Sequence, residues 1–277
     1  MDNVIESLHN NLSEQRDQDV AEQPAYSDAD RLPPQPPQPV RLQIPLYHAV
    51  AWQVLLGLII VIYLVEVVRS GGLTPTSQVL FDLGAKWNPA IVDGQYWRLL
   101  TATFLHGSLL HILFNGYSLY AVGPAVERFF GTARFLAVYF ISGLAGSVAS
   151  YAFSPSLSVG ASGAIFGLVG GLAAFFYASR ATLGDMARQQ LGSLATVVMI
   201  NLFIGFGSGG SIDNFAHIGG MLGGAAVGLL LAPRLTIDER LYPPVVTRRF
   251  LPYGWAGALL VLALLAALVL YVIKPPL

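Results

Sequence analysis

Ser162, a hydroxyl set between glycines in "SVGASGAIFGL" (residues 158–168), opens one apolar run, and His217 in "NFAHIGGMLGGAAVG" stands near the start of another. A serine attacks a carbonyl only when a base within hydrogen-bond reach takes its proton, and imidazole has suitable basicity near neutral pH. In "HGSLLHILFNGYSLY", His111 and Asn115 are four residues apart and so share one helical face, with His106 just ahead of that helix. A ring N–H and a carboxamide can donate to a developing oxyanion. The same holds for N–H groups left unpaired in the first turn of a helix that begins at Ser162, at the positive end of its dipole. Together these are the parts of an amide-hydrolysing site.

Each part also has a plainer reading. Ser162 alone suits a helix cap, and a membrane His or Asn suits a helix-to-helix hydrogen bond. No aspartate lies within the apolar runs to orient the imidazole, since Asp213 is outside them and Glu66 ends a different run, so the arrangement departs from the three-residue template. His106, His111 and His217 together suggest a metal site, but no carboxylate or fourth ligand shares their layer. Neither metal nor cofactor is expected.

The elements that must position these residues are membrane helices. Of 277 residues, 54% are hydrophobic and 11% charged, and the apolar residues gather into seven runs at 49–68, 107–123, 135–153, 162–179, 193–206, 215–231 and 253–273. The fold class is an all-α polytopic membrane protein. The fifth run is short for a full crossing and is expected to be oblique or shielded by its neighbours. With the N-terminus in the cytoplasm and the C-terminus outside, eleven arginines fall inside and Arg69, Lys86, Arg98 and Lys274 outside, as the positive-inside rule requires. A net charge of −1 gives no general attraction for nucleic acid, and the absence of cysteine excludes disulfides and thiolate zinc sites.

Residues 1–45 carry eight acidic residues against Arg16, Arg31 and Arg41 and end in "PPQPPQP", which reads as a disordered cytoplasmic tail. The proline tract could dock on a cytoplasmic proline-recognition partner; an inert solvated tail is the simpler reading. With neither a secretory signal nor a transit sequence at its start, the chain is expected in a plasma (inner) membrane. A core at 46–232, a charged cytoplasmic linker at 233–252 and a last helix with a short external end at 253–277 follow.

Glycines suggest how the helices meet. Gly163, Gly167 and Gly171 form a ladder on the fourth span, and Gly220 and Gly224 share the face of His217 on the sixth. Two such helices can pack backbone to backbone and bring Ser162 to His217. The external loop 69–106 contains "GQYWRLLTATFLHG", too apolar for a solvated linker, so it is expected in or on the outer leaflet. Tyr96 and Trp97 suit that interface. Arg98 is either part of an interfacial anchor or a headgroup or loop-ordering contact.

"GASGAIFGL", "HGSLLHILFN", "YWR" at 96–98, "GPAVERFFG" and "AHIGGMLGG", in this order, resemble the rhomboid family of intramembrane serine proteases over about residues 47–232. The resemblance implies a six-helix core, here with one added C-terminal helix, and a water-filled cavity opening outward. It implies single-pass membrane proteins in the bilayer as substrates, cut within or beside their transmembrane helix. Carried over by motif, Ser162 is the nucleophile and His217 the general base. His111, Asn115 and the Ser162 N–H are oxyanion donors. Gly160 lies in the nucleophile motif, Gly163, Gly220 and Gly224 are packing positions, and Trp97 and Arg98 belong to the membrane-lying loop. Glu127 and Arg128 form a structural cytoplasmic turn. Phe166 departs from the pattern, standing where some members place a tyrosine against the imidazole. Two rivals remain: a pseudoprotease that binds clients without cutting, although such relatives typically lose the serine or histidine, and a transporter, which would more often show buried carboxylates or paired broken helices.

Overall fold

A computed structural model describes residues 43–209 and 212–276. All but the last three residues of the acidic, proline-rich tail lie outside the described residues.

The first membrane helix, α1 (Ala51–Ser70), lacks a side-chain cap of its own. The buried carboxylate of Glu127 supplies one, accepting the N–H groups of Ala51 and Trp52 at 3.0 Å each, where a negative charge complements the helix dipole. Between α1 and the next membrane helix the chain builds short helices: α2 (Ser77–Leu83), α3 (Asn88–Val92) and α4 (Arg98–Thr101), the last running into a 3-10 turn. The loop expected at the interface is thus an ordered segment of short helices. Arg98 is buried within it, donating to the carbonyls of Phe81 and Ala85 at 2.6 and 3.1 Å and to Gln95 Oε1 at 2.7 Å. These bonds tie Arg98 to the loop around it. Trp97, half exposed, lies over the Arg98 guanidinium.

Helix α5 (Leu109–Phe130) begins at Ser108, whose hydroxyl accepts the His111 N–H, and α6 (Thr132–Phe153) follows after one residue, Gly131, at φ 79°. Helix α7 (Ser162–Ala178) is short, about 26 Å at 1.5 Å per residue, and most of its residues are buried. Helix α8 (Arg180–Leu183) is a single turn.

Helix α9 (Asp185–Gly207) corrects the fifth-span expectation: its 23 residues suffice for a full crossing, and within it only Ala187 and Gly205 are buried. "DMARQQLG" ahead of the apolar run is good helix-forming sequence and extends the helix. The helix is neither short nor shielded. Helix α10 (Asn214–Leu231) packs chiefly on α7 and α6. Among the described residues, six helices have the length and composition to cross a membrane, and α7 is a shorter apolar seventh. The protein is an integral multi-pass membrane protein.

The region expected to be a linker holds two strands, β1 (Arg234–Asp238) and β2 (Val245–Arg249), paired antiparallel with Leu235 opposite Arg248 and Ile237 opposite Val246. Leu235 and Val246 are buried in the main core. The Leu235 N–H donates to Ser179 Oγ and Thr182 Oγ1 to the Leu235 carbonyl, tying the hairpin to the end of α7 and to α8. Helix α11 (Gly254–Ala267), continued by a π turn to Val272, completes the chain.

Candidate active site

Glycine decides how closely α7 and α10 approach. A Cβ on Gly220 would lie 2.0 Å from the Gly163 carbonyl oxygen, one on Gly224 2.0 Å from that of Gly167, and one on Gly228 2.7 Å from Gly171 Cα. No other residue type fits these three rungs without moving a helix. A third helix joins at Gly146 of α6, where a Cβ would lie 2.7 Å from the Ala216 carbonyl and 3.3 Å from Gly163 Cα. With the backbones in contact, His217 Nε2 lies 2.9 Å from Ser162 Oγ.

The helix cap at this point is Ala161, not Ser162, and no side chain caps the helix. Ser162 is the first helical residue, so its hydroxyl is directed to the imidazole while its own N–H belongs to the unpaired first turn. Phe166, one turn on, stacks on the His217 ring with centroids 4.3 Å apart and planes 10° apart. The carbocyclic ring thus sets the plane of the imidazole. His217 Nδ1 is buried without a partner. Asp213 is occupied elsewhere: its carboxylate caps α10 through the Ala216 N–H at 3.0 Å and accepts the hydroxyl of Ser150. The pair therefore has no carboxylate as third member.

Gly160, at φ 132°, marks how near His111 comes. A Cβ there would lie 2.6 Å from His111 Nε2 and 3.7 Å from Ser162 Oγ, so both groups border the space that a side chain at 160 would fill. Asn115 is buried one turn along α5, and its Nδ2 donates to the His111 carbonyl at 3.1 Å. Among the described residues, no hydrogen bond joins it to Ser162.

His106 is fully buried with both ring nitrogens unpartnered, and its ring meets that of His111 edge-on at 5.1 Å. Behind it stands Glu66, absent from the sequence-derived site, whose buried carboxylate accepts the His106 backbone N–H at 3.2 and 3.3 Å. Its signal was a lone carboxylate in "VIYLVEVV", a costly residue at membrane depth unless it has a fixed partner. Among the described residues, no group of three His, Asp or Glu side chains is arranged to hold a metal.

Glu127 and Arg128 lie far along α5 from the site. Glu127 also accepts the hydroxyl of Thr132 at 2.7 Å, and the Arg128 carbonyl accepts the Tyr47 N–H at 2.9 Å. Both therefore join the start of α1 to the α5–α6 turn.

A helical membrane bundle with a serine and a histidine in contact between glycine-packed helices defines a narrow class, and comparison with known proteins falls in it. The rhomboid domain family model matches residues 93–234. Rhomboid protease GluP of Bacillus subtilis (strain 168) is 43% identical over 176 residues, covering 62% of this chain and 33% of that protein. Rhomboid-like protease 3 of Toxoplasma gondii is 34% identical over 170 residues, 61% of this chain and 64% of that one. RHOMBOID-like protein 4 of Arabidopsis thaliana is 38% identical over 198 residues, 69% and 50% of the two chains. The chain belongs to the rhomboid family. It spans between 33% and 64% of the length of these three relatives.

Proposed function

We propose that the chain is an intramembrane serine endopeptidase that cuts single-pass membrane proteins within or beside their transmembrane segment. The observation that carries this reading is the 2.9 Å contact of Ser162 Oγ with His217 Nε2, its ring held by Phe166. Two of the similar proteins are themselves named rhomboid proteases, GluP and Rhomboid-like protease 3.

With its proton on Nδ1, His217 accepts the Ser162 proton at Nε2 as Oγ bonds to the substrate carbonyl carbon. The carbonyl oxygen takes the negative charge, with the Ser162 N–H, His111 and Asn115 as donors. Collapse breaks the C–N bond, and His217 delivers its proton to the leaving amine. Water, deprotonated by the same nitrogen, then attacks the acyl-enzyme and releases the carboxylate and Ser162. The peptide bond of a helical substrate must first unwind, because its carbonyl is already bonded within the helix. Substrates should therefore carry helix-weakening residues and small side chains at the cut. On this reading the N-terminus is cytoplasmic, the site opens to the external side, and the membrane is the plasma (inner) membrane.

Purified protein should cleave a single-pass test substrate and label with a fluorophosphonate probe, and Ser162→Ala should abolish both. His217→Ala should abolish cleavage with the fold retained, and Asn115→Ala should lower kcat on the order of tenfold to a thousandfold. Wild-type protein that cleaves nothing and labels no better than Ser162→Ala would instead identify a pseudoprotease.

A further inference from the structure

Much of the surface of the last helix faces outward: Leu259, Leu260 and Leu264 are exposed. Its remaining face is not idle. Near its cytoplasmic start, Gly254 and Gly257 pack closely on Leu230 of α10. Toward the other end Leu265, Val269 and Ile273 pack with Ile91, Leu99, Val148 and Tyr151 in a cluster separate from the main core. Beyond the helix, the Pro276 carbonyl accepts a 2.7 Å hydrogen bond from Asn88 Nδ2. Asn88 is fully buried at the start of α3, and the same nitrogen reaches the Ser154 and Tyr151 carbonyls at 3.0 and 3.3 Å.

From Asn88 the connection continues to the nucleophile. Two residues earlier, Lys86 exchanges backbone hydrogen bonds with Ser158, both at 3.0 Å. The fully buried Lys86 Nζ also donates to the Ser154 and Ser156 carbonyls at 2.6 and 3.0 Å. Burial lowers the pKa of this amine to about 8, with Asp213 acting in the opposite direction. The Gly160 N–H donates to the Ala102 carbonyl at 2.9 Å. Residues 154–160, which lead into Ser162, are therefore fastened along their length to the external segment. That segment is fastened at Asn88 to the end of the last helix.

We propose that α11 and residues 273–276 act as a strut that sets the position of the external segment and, through it, of the strand entering Ser162, with Asn88 as the positioning residue at the joint. This rests on the reading of Ser162 and His217 as a proteolytic pair. Asn88 touches neither substrate nor reacting atoms. It acts by holding residues 154–160, and with them the approach of Ser162, Gly160 and His111. Because this cluster is separate from the main core, loosening it should displace the loop while leaving the α6–α7–α10 packing in place. A displacement of about 1 Å at reacting groups can cost on the order of a hundredfold in rate.

The test uses the full chain in proteoliposomes, with Asn88→Ala and the pair Val269→Ala/Ile273→Ala set against Leu264→Ala, a lipid-facing change on the same helix. Three quantities are read: kcat and KM on a single-pass substrate, the rate of fluorophosphonate labelling, and amide exchange at Ser158 and Gly160. Asn88→Ala and the paired variant should lower kcat on the order of ten- to a hundredfold with KM unchanged. They should slow labelling and speed exchange at both amides, while Leu264→Ala matches wild type. Wild-type kcat in both joint variants would overturn the proposal, as would unchanged exchange at Ser158 and Gly160. Wild-type protein without cleavage or labelling would defeat the proteolytic reading instead, and the exchange measurement would still decide whether the strut holds the loop.

Discussion

On the proposed reading, Phe166 contributes through shape alone. It offers His217 a flat face at 4.3 Å and nearly parallel, with no polar atom of its own, and, since Nδ1 has no partner among the described residues, the ring is held by this stacking together with the Ser162 contact at Nε2. Aromatic pairs of this kind are worth about 0.5–1.5 kcal/mol beyond their buried area. Phe166→Ala should therefore lower kcat a few-fold to about tenfold, whereas Phe166→Tyr keeps the ring and should retain near-wild-type turnover. Parallel kcat measurements check this, and equal losses in the two variants would remove the stacking argument. The candidate pair Ser162 and His217 was legible because a hydroxyl between glycines and one of only five histidines each stand at the start of an apolar run. Glu66 and Asn88 were less so, since their partners are backbone groups far away in sequence: the His106 N–H for Glu66, and the Tyr151, Ser154 and Pro276 carbonyls for Asn88. A lone carboxylate or carboxamide announces that it needs a partner without saying which one.

Between helices, glycine position rather than glycine count decides the packing. Gly224 faces the Gly167 carbonyl so closely that a Cβ would come within 2.0 Å, while Gly57 in α1 has nothing within 4 Å of the same point. Gly224→Ala must push α7 and α10 apart, and overpacking of this kind costs about 1–3 kcal/mol. Gly57→Ala should be neutral or slightly stabilising, because glycine inside a helix costs about 0.5–1 kcal/mol relative to alanine. Thermal unfolding in detergent should therefore show a lowered midpoint only for Gly224→Ala, together with weakened Ser162 labelling; equal midpoints would mean that the ladder is not under close contact. The ladder was readable from its spacing because helix faces repeat regularly. The β hairpin was not, since "RLTID" and "VVTRR" are short, bear charges at their ends and draw their order from Ser179 and Thr182. Nor was the length of α9, because an apolar-run count stops where "DMARQQLG" turns polar even though the helix continues.

Across the whole molecule, the proposed orientation rests on where the charges fall. Arg234, Arg240, Arg248 and Arg249 cluster in and beside the hairpin, between α10 and α11. Arg248 sits over Tyr47 just ahead of α1, and Arg134 at the start of α6 sits over Phe250. The hairpin therefore draws onto one face the chain before α1, the α5–α6 turn, the end of α7 and the connection to α11, and this face carries most of the arginines. The opposite face holds the start of α7 with Ser162, the external segment and Lys274. By the positive-inside rule, we propose that the hairpin is cytoplasmic and that Ser162 and His217 lie toward the outside. The native chain contains no cysteine, so a single introduced thiol reports on one place without background. In right-side-out vesicles, Lys274→Cys should react with a membrane-impermeant maleimide, and Glu239→Cys, at the exposed hairpin tip, should react only after the membrane is opened. The reverse pattern would place the active site on the cytoplasmic side and would require substrates to be cut from there. Labelling of both thiols in sealed vesicles would put both ends of α11 on one side and would remove α11 from the membrane.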